Sequence, residues 1–189
     1  VERKGVDVMI AVDVSNSMLA KDIAPNRLEK AKLELAGLID KLKGNRIGIV
    51  AFAGDAVIQC PLTLDRGAVK LFLSTVSPTL VNFQGTDIGK AVSVATQAFQ
   101  EKEKDSKVLI LLTDGEDHNP ETKQALSRAK DAGVRIYTIG IGTSDGSTVP
   151  ESSSGGYKKD RQGQVVLSRL NETFLKQAAR DTGGVYYRS

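Results

Sequence analysis

Val108-Leu109-Ile110-Leu111-Leu112-Thr113-Asp114-Gly115 is the stretch that decides the fold. Its apolar run from Val108 to Leu112 leaves no polar face, so the strand it forms is buried on both sides and reads as a central strand of a parallel sheet. The run stops at Thr113-Asp114-Gly115, which places a carboxylate just past the strand end. The same arrangement recurs in Val8-Met9-Ile10-Ala11-Val12-Asp13-Val14-Ser15-Asn16-Ser17. If the two strands are neighbours, their tips lie about 5 Å apart. Asp13, Asp114, Ser15 and Ser17 then bring hard oxygen donors into one small volume, a set suited to a small divalent cation.

Outward from these two strands, β-rich apolar runs alternate with helical patterns. Strands are expected at Val6–Val12, Arg46–Phe52, Ala56–Cys60, Lys107–Leu112, Val134–Ile141 and Val185–Tyr187. The turn Gly54-Asp55 is too short for a crossover, so the third strand should run antiparallel to the second. After Asn26-Arg27, the residues Leu28, Ala31, Leu35, Leu38, Ile39 and Leu42 recur at helical steps, and Gly44 stops them. Further helices open at Asp65-Arg66-Gly67, start from a cap at Thr86 or Asp87, and span Glu121–Ala132 and Asn171–Thr182. Gly142–Gly156 reads as a mobile loop, and Tyr157–Leu167 as a small hairpin about Gln162-Gly163. The sum is a single α/β domain over residues 1–189: an open, doubly wound, mostly parallel sheet with helices on both faces. In such sheets ligands bind beyond the carboxyl ends of the strands, where Asp13 and Asp114 sit.

Composition narrows the function classes. The chain is 40% hydrophobic and 26% charged with a net charge of +3, which fits a soluble globular domain. Its basic residues are scattered, and Glu101-Lys102-Glu103-Lys104-Asp105 mixes both signs, so no nucleic-acid stripe is expected. The single Cys60 excludes an internal disulfide and a cysteine-rich zinc site, and reads as packing. No apolar run reaches the roughly 18 residues of a membrane span, and no signal peptide is visible. A strand begins five residues in, the pattern expected of a domain excised from a longer protein.

Asp13, Ser15 and Ser17 follow an i, i+2, i+4 spacing. On a helix they would diverge, whereas in a loop leaving a strand tip they can curl around one point. Mg²⁺ accepts such oxygens, taking about six at roughly 2.0–2.1 Å and usually keeping several waters. The simpler reading is that both serines only tie the loop down by local hydrogen bonds. Nearby, Asp87 is expected to support a helix start or hold a second layer of contacts. Glu116 and Asp117 read as exposed acids, and the lone His118 as a surface residue. Tyr157-Lys158-Lys159-Asp160-Arg161 is basic with one aromatic, and reads as an exposed insert with partner or membrane-surface contact as the alternative.

Asp13-Val14-Ser15-Asn16-Ser17-Met18, Gly85-Thr86-Asp87 and Thr113-Asp114-Gly115-Glu116 together resemble the three-part metal-ion-dependent adhesion site of von Willebrand factor type A domains. The resemblance covers nearly the whole chain. It implies that Ser15, Ser17 and Thr86 supply hydroxyl ligands, and that Asp13 and Asp114 bind the ion directly or through water. It also implies the strand order 3-2-1-4-5-6 with strand three antiparallel at an edge. Asn26-Arg27-Leu28-Glu29, Gly48-Ile49-Val50-Ala51-Phe52-Ala53-Gly54, Gln59-Cys60-Pro61-Leu62-Thr63 and Val166-Leu167-Ser168-Arg169-Leu170 resemble the bacterial Bat aerotolerance proteins. That similarity implies anchoring in the bacterial inner membrane by flanking helices, with the periplasmic side preferred. It also implies partners among other Bat proteins or a MoxR-type ATPase.

The function expected from these readings is a Mg²⁺-dependent protein-binding module, with Mn²⁺ or Ca²⁺ as substitutes. Two carboxylates offset the charge of the ion, so it can still attract a Glu or Asp from a partner. The alternatives are a metal-dependent phosphoryl-transfer or hydrolytic enzyme and a metal-stabilised scaffold. Against the enzyme stand the absence of a Gly-x-x-x-x-Gly-Lys-Ser/Thr phosphate loop and of a Gly-x-Ser-x-Gly nucleophile elbow.

Overall fold

The computed structural model describes residues 5–99, 106–117, 119–151 and 155–189. Six strands form the main sheet: β1 (Val6–Asp13), β2 (Arg46–Phe52), β3 (Ala56–Thr63), β4 (Ser106–Thr113), β5 (Val134–Gly140) and β8 (Tyr186–Arg188). Their spatial order is β3-β2-β1-β4-β5-β8, and only β3 is antiparallel to its neighbour. This is the expected order, with β8 as the sixth strand. Two short strands, β6 (Ser147–Thr148) and β7 (Leu167–Ser168), pair with each other ahead of it.

The helices are α1 (Arg27–Lys41), α2 (Arg66–Ser74), α3 (Ile88–Ala98), α4 (Thr122–Asp131) and α5 (Glu172–Asp181). Four of them start from a side chain that accepts a free backbone N–H of the first turn. Asn26 takes Glu29, Asp65 takes Ala68, Asp87 takes Lys90 and Asn171 takes Phe174. Asp87 rather than Thr86 is therefore the cap of α3, which leaves the Thr86 hydroxyl free of that duty.

The unbroken apolar runs of β1 and β4 follow from helices on both faces. Val8, Ile10, Val12, Ile110 and Leu112 pack toward α1 and α2, together with the buried Cys60. Met9, Ala11, Leu109 and Leu111 pack toward α3, α4 and α5. Alternate side chains of one strand thus enter different cores, and neither face can be polar. Val12 lies opposite Leu112, which brings Asp13 level with Thr113 at the strand tips. Among the described residues no helix is long and apolar enough to cross a membrane.

The largest departure from the sequence reading falls between β5 and α5. Part of the expected loop Gly142–Gly156 is ordered into β6, and the hairpin does not stand alone. Pro150 bridges Tyr157, the Lys158 N–H donates to the Val149 carbonyl, and the Val166 N–H donates to the Lys158 carbonyl. Lys159 bridges Val165 across a turn at 160–163, close to the expected centre. Strands of two residues carry no readable alternation, so their pairing was invisible in one dimension. His118 and the charged run 101–105 lie outside the described residues.

Candidate metal centre

β1 and β4 deliver Asp13 and Asp114 side by side, both fully buried. The Asp13 carboxylate is held from two sides. Its Oδ1 accepts the Ser15 N–H at 2.9 Å, and its Oδ2 accepts the Thr113 hydroxyl at 2.6 Å. The chain then turns through a short 3-10 segment, Asn16–Leu19, pinned by the buried Met18. This turn brings the Ser15 and Ser17 hydroxyl oxygens to 2.9 Å from each other. The two hydroxyls therefore converge, through the kind of local hydrogen bond that the simpler reading expects.

Asp114 is held differently. Its Oδ1 accepts the Glu116 N–H at 3.1 Å, while its Oδ2 accepts Arg27 Nη1 at 3.1 Å and the Ser168 hydroxyl at 3.2 Å. Gly115 makes the turn beyond it with φ +79, and a Cβ there would stand 2.9 Å from the Asn171 carbonyl oxygen. Only glycine meets both demands.

A cavity of about 530 Å³ opens over these strand tips, and Ser15, Ser17 and Thr86 all line it. Thr86 arrives from a third segment, positioned by the Asp87 N–H, which donates to the Ala53 carbonyl oxygen. Asp13 and Asp114 are joined to this lining by the hydrogen bonds to Ser15 and Glu116. Residues of all three separated motifs, Ser15, Ser17, Thr86 and Glu116, thus line one cavity, while Asp13 and Asp114 are not among its lining residues. Among the described residues no three His, Cys, Asp or Glu side chains cluster as ligands. Any ion held here would depend on hydroxyl oxygens beside the two carboxylates, an all-oxygen set that favours a hard cation.

Burial first, and then the neighbouring charge of Asp114, push Asp13 up to about 7. Two ionised carboxylates this close, out of water, repel each other. A divalent cation between them would remove that repulsion, so the residues present fit such an ion.

Arg27 is the participant that the sequence reading missed. Its side chain is fully buried, and it donates to both Asp22 oxygens at 2.8 Å, to Asp114, and to the Ser168 hydroxyl and carbonyl oxygens at 2.7 and 3.0 Å. Burial disfavours its charge, but the hydrogen bonds to Asp22 and the charges of Asp114 and Asp22 outweigh that and raise it further. Asp22 in turn accepts the Thr143 N–H and hydroxyl, which ties the start of the segment after β5 to the same cluster. One signal was available: a cation in the first turn of a helix opposes the helix dipole, so something other than α1 had to hold it.

Two further expectations need correction. Glu116 and Asp117 are half-buried rather than free surface acids. Glu116 accepts the Arg169 N–H, and burial raises it; Asp117 accepts the N–H groups of Ile88 and Asn119. Neither role is visible in the sequence, because each acid bonds backbone from a distant or irregular segment.

Residues 8–116 match the sequence model of the von Willebrand factor type A domain. The chain belongs to this family. A BatB protein from Bacteroides thetaiotaomicron superposes with a TM-score of 0.92 at 41% identity, over 98% of this chain and 90% of that one. An aerotolerance-related membrane protein from Bacteroides fragilis gives 0.92 at 39% identity, over 98% and 92%. The chain spans about half the length of the curated relatives it matches. An uncharacterized protein of Borreliella burgdorferi, 31% identical over 97% of this chain, is covered over 53% of its own length. The proximal thread matrix protein of mussel byssus, which has a zinc-occupied adhesion motif, shares the fold with a TM-score of 0.72 at 22% identity, over 98% of this chain and 42% of that protein.

Proposed function

We propose that this domain is a Mg²⁺-dependent protein-binding module in which Asp13, Ser15, Ser17, Thr86 and Asp114 hold the ion, directly or through water. The observation that carries this reading is the shared cavity: three hydroxyls from two separated segments line it, and the buried Asp13 and Asp114 accept backbone N–H groups of its lining residues Ser15 and Glu116. The bound ion supplies a Lewis-acidic position for an outside carboxylate. The protein's own residues orient the carboxylates through Thr113, Ser15 and Arg27, and keep both shielded from bulk water. A Glu or Asp of a partner protein completes the coordination shell. Likeness to an aerotolerance-related membrane protein and to BatB supports a partner within a membrane-associated aerotolerance assembly; the periplasmic side for this domain is part of the proposal.

The test pairs metal binding with partner capture. Thermal melts with Mg²⁺ or Mn²⁺ should show a stabilisation that Asp13→Ala removes. Pull-downs with Bat proteins and a MoxR-type ATPase as baits should lose the captured partner in EDTA. Capture that survives both Asp13→Ala and EDTA would overturn the reading.

A further inference from the structure

The cavity that holds Ser15, Ser17 and Thr86 also has apolar walls. Val149, Val166 and Leu167 line it from the segment between β5 and α5. Val149 is buried beneath them, whereas Leu167 is 47% exposed. We propose that this cleft selects a partner carboxylate flanked by bulky apolar side chains: the acid goes to the ion, and its apolar neighbours pack on Leu167 at one rim and on Phe83, next to the lining residues Gln84 and Gly85, at another. This rests on the metal reading above and names the chemistry of the partner segment.

Three observations carry it. First, the charged residues of the lining are Glu116, Asp117 and Asp160 against Lys158 and Lys159. One negative charge is in excess, so the walls attract no further acid around the one that meets the ion. What they offer a partner is apolar surface. Second, Leu167 is fixed in place. It sits in β7 opposite Thr148 of β6, and its neighbour Ser168 is buried and donates to Asp114 at 3.2 Å. An exposed leucine is thus held one residue from a side chain that touches a proposed ligand of the ion. Third, Phe83 is 66% exposed and lies three residues before Thr86. Its carbonyl oxygen accepts the Gly54 N–H at 2.8 Å. A Cβ at Gly54 would stand 2.9 Å from that oxygen and 2.5 Å from the Gln84 carbonyl oxygen. Only glycine lets the turn between β2 and β3 clamp this segment so closely. Neither Leu167 nor Phe83 packs into either core. Apolar groups already held on fixed backbone cost little ordering when a partner binds, and apolar walls around a few placed polar groups are the usual form of a selective site.

The experiment uses three fluorescein-labelled heptapeptides with a central Glu, flanked on each side by Leu, by Gly or by a further Glu, the remaining positions being Gly. Anisotropy titrations are run in millimolar Mn²⁺ with the wild type and with F83S/L167S, alongside Mn²⁺ thermal melts of both. The wild type should bind the Leu-flanked peptide about tenfold more tightly than the Gly-flanked one, a factor below what full burial of two leucines would give. The Glu-flanked peptide should gain nothing over the Gly-flanked one. The preference for Leu should hold as salt rises, since apolar contact is not screened, and EDTA should abolish binding of the Leu-flanked peptide. F83S/L167S should bind the three peptides alike while keeping its Mn²⁺ thermal shift. With that shift intact, a wild type that does not prefer the Leu-flanked peptide overturns this proposal alone. So does a preference that F83S/L167S keeps in full, or one that survives EDTA. No Mn²⁺ shift in the wild type overturns the metal reading, and this proposal with it.

Discussion

The β1 and β4 tips carry the same residue in nearly the same place, and the protein treats them in opposite ways. Asp114 faces a buried guanidinium at 3.1 Å. Among the described residues the donors to Asp13 come from Ser15 and Thr113 and are neutral, and it is pushed up to about 7. One carboxylate thus has its counter-charge built into the fold, and the other has no ion pair among the described residues. The contrast teaches where a bound cation would contribute most. At the β4 tip it would share a charge that is already compensated, whereas at the β1 tip it would supply the missing one. It also separates two tasks: Arg27 holds the architecture around Asp114, and the serine turn after Asp13 would be left for the proposed ion.

Breaking the β4 side should cost most. Arg27→Met removes the cation from between the buried Asp114 and the part-buried Asp22 and should destabilise the protein by about 3–5 kcal/mol, read as a lower midpoint of urea unfolding. Arg27→Lys should recover less than half of that loss, because an ammonium cannot bond Asp22, Asp114 and Ser168 in one fork. A midpoint unchanged in Arg27→Met would mean that the compensation is not structural.

The β1 side is sharpened by pH. The folded-state value for Asp13 lies above its ordinary 3.8, so between about pH 4 and pH 7 the folded protein binds a proton that the unfolded chain has released. Asp13 therefore costs stability progressively as pH rises through that window, and the cost levels off above it. Metal-free wild type measured against Asp13→Asn should lose about 2–4 kcal/mol from pH 4 to pH 7. Saturating Mg²⁺ should cancel much of that difference, because the ion compensates the ionised form.

Metal addition tests the third motif. At a hundredfold excess over its dissociation constant, Mg²⁺ should stabilise the wild type by about 2.7 kcal/mol. Thr86→Ala should remove most of that gain while leaving the metal-free melting temperature nearly unchanged, since Asp87 rather than Thr86 caps α3. The smallest effect is expected from Ser168→Ala. It deletes one hydrogen bond to Asp114 and one from Arg27 and should cost about 1–2 kcal/mol in thermal or urea unfolding.

Much of this was legible before the structure. The two apolar runs ending in aspartate announced central strands, because a face that must meet a helix on either side cannot be polar. The turn Gly54-Asp55 announced the antiparallel β3, since two residues cannot cross a sheet. The Asp13-Ser15-Ser17 spacing suggested convergence, and the two serine hydroxyls do meet at 2.9 Å. The paired strands β6 and β7 were not legible, being too short to carry a period. Nor were the duties of Glu116 and Asp117, whose partners are backbone groups and carry no residue identity to read.

What the sequence determined by itself was the set of local elements and the oxygen donors at their ends, because periodicity, capping and turn chemistry act over a few residues. What only the tertiary structure decided was the charge state of the site. Arg27 meets Asp114 across 87 positions of chain and Ser168 across 141, and the burial that makes those contacts strong exists only once the sheet has formed. Electrostatic energy depends on distance through space and on exclusion of water, and neither quantity is written along the chain.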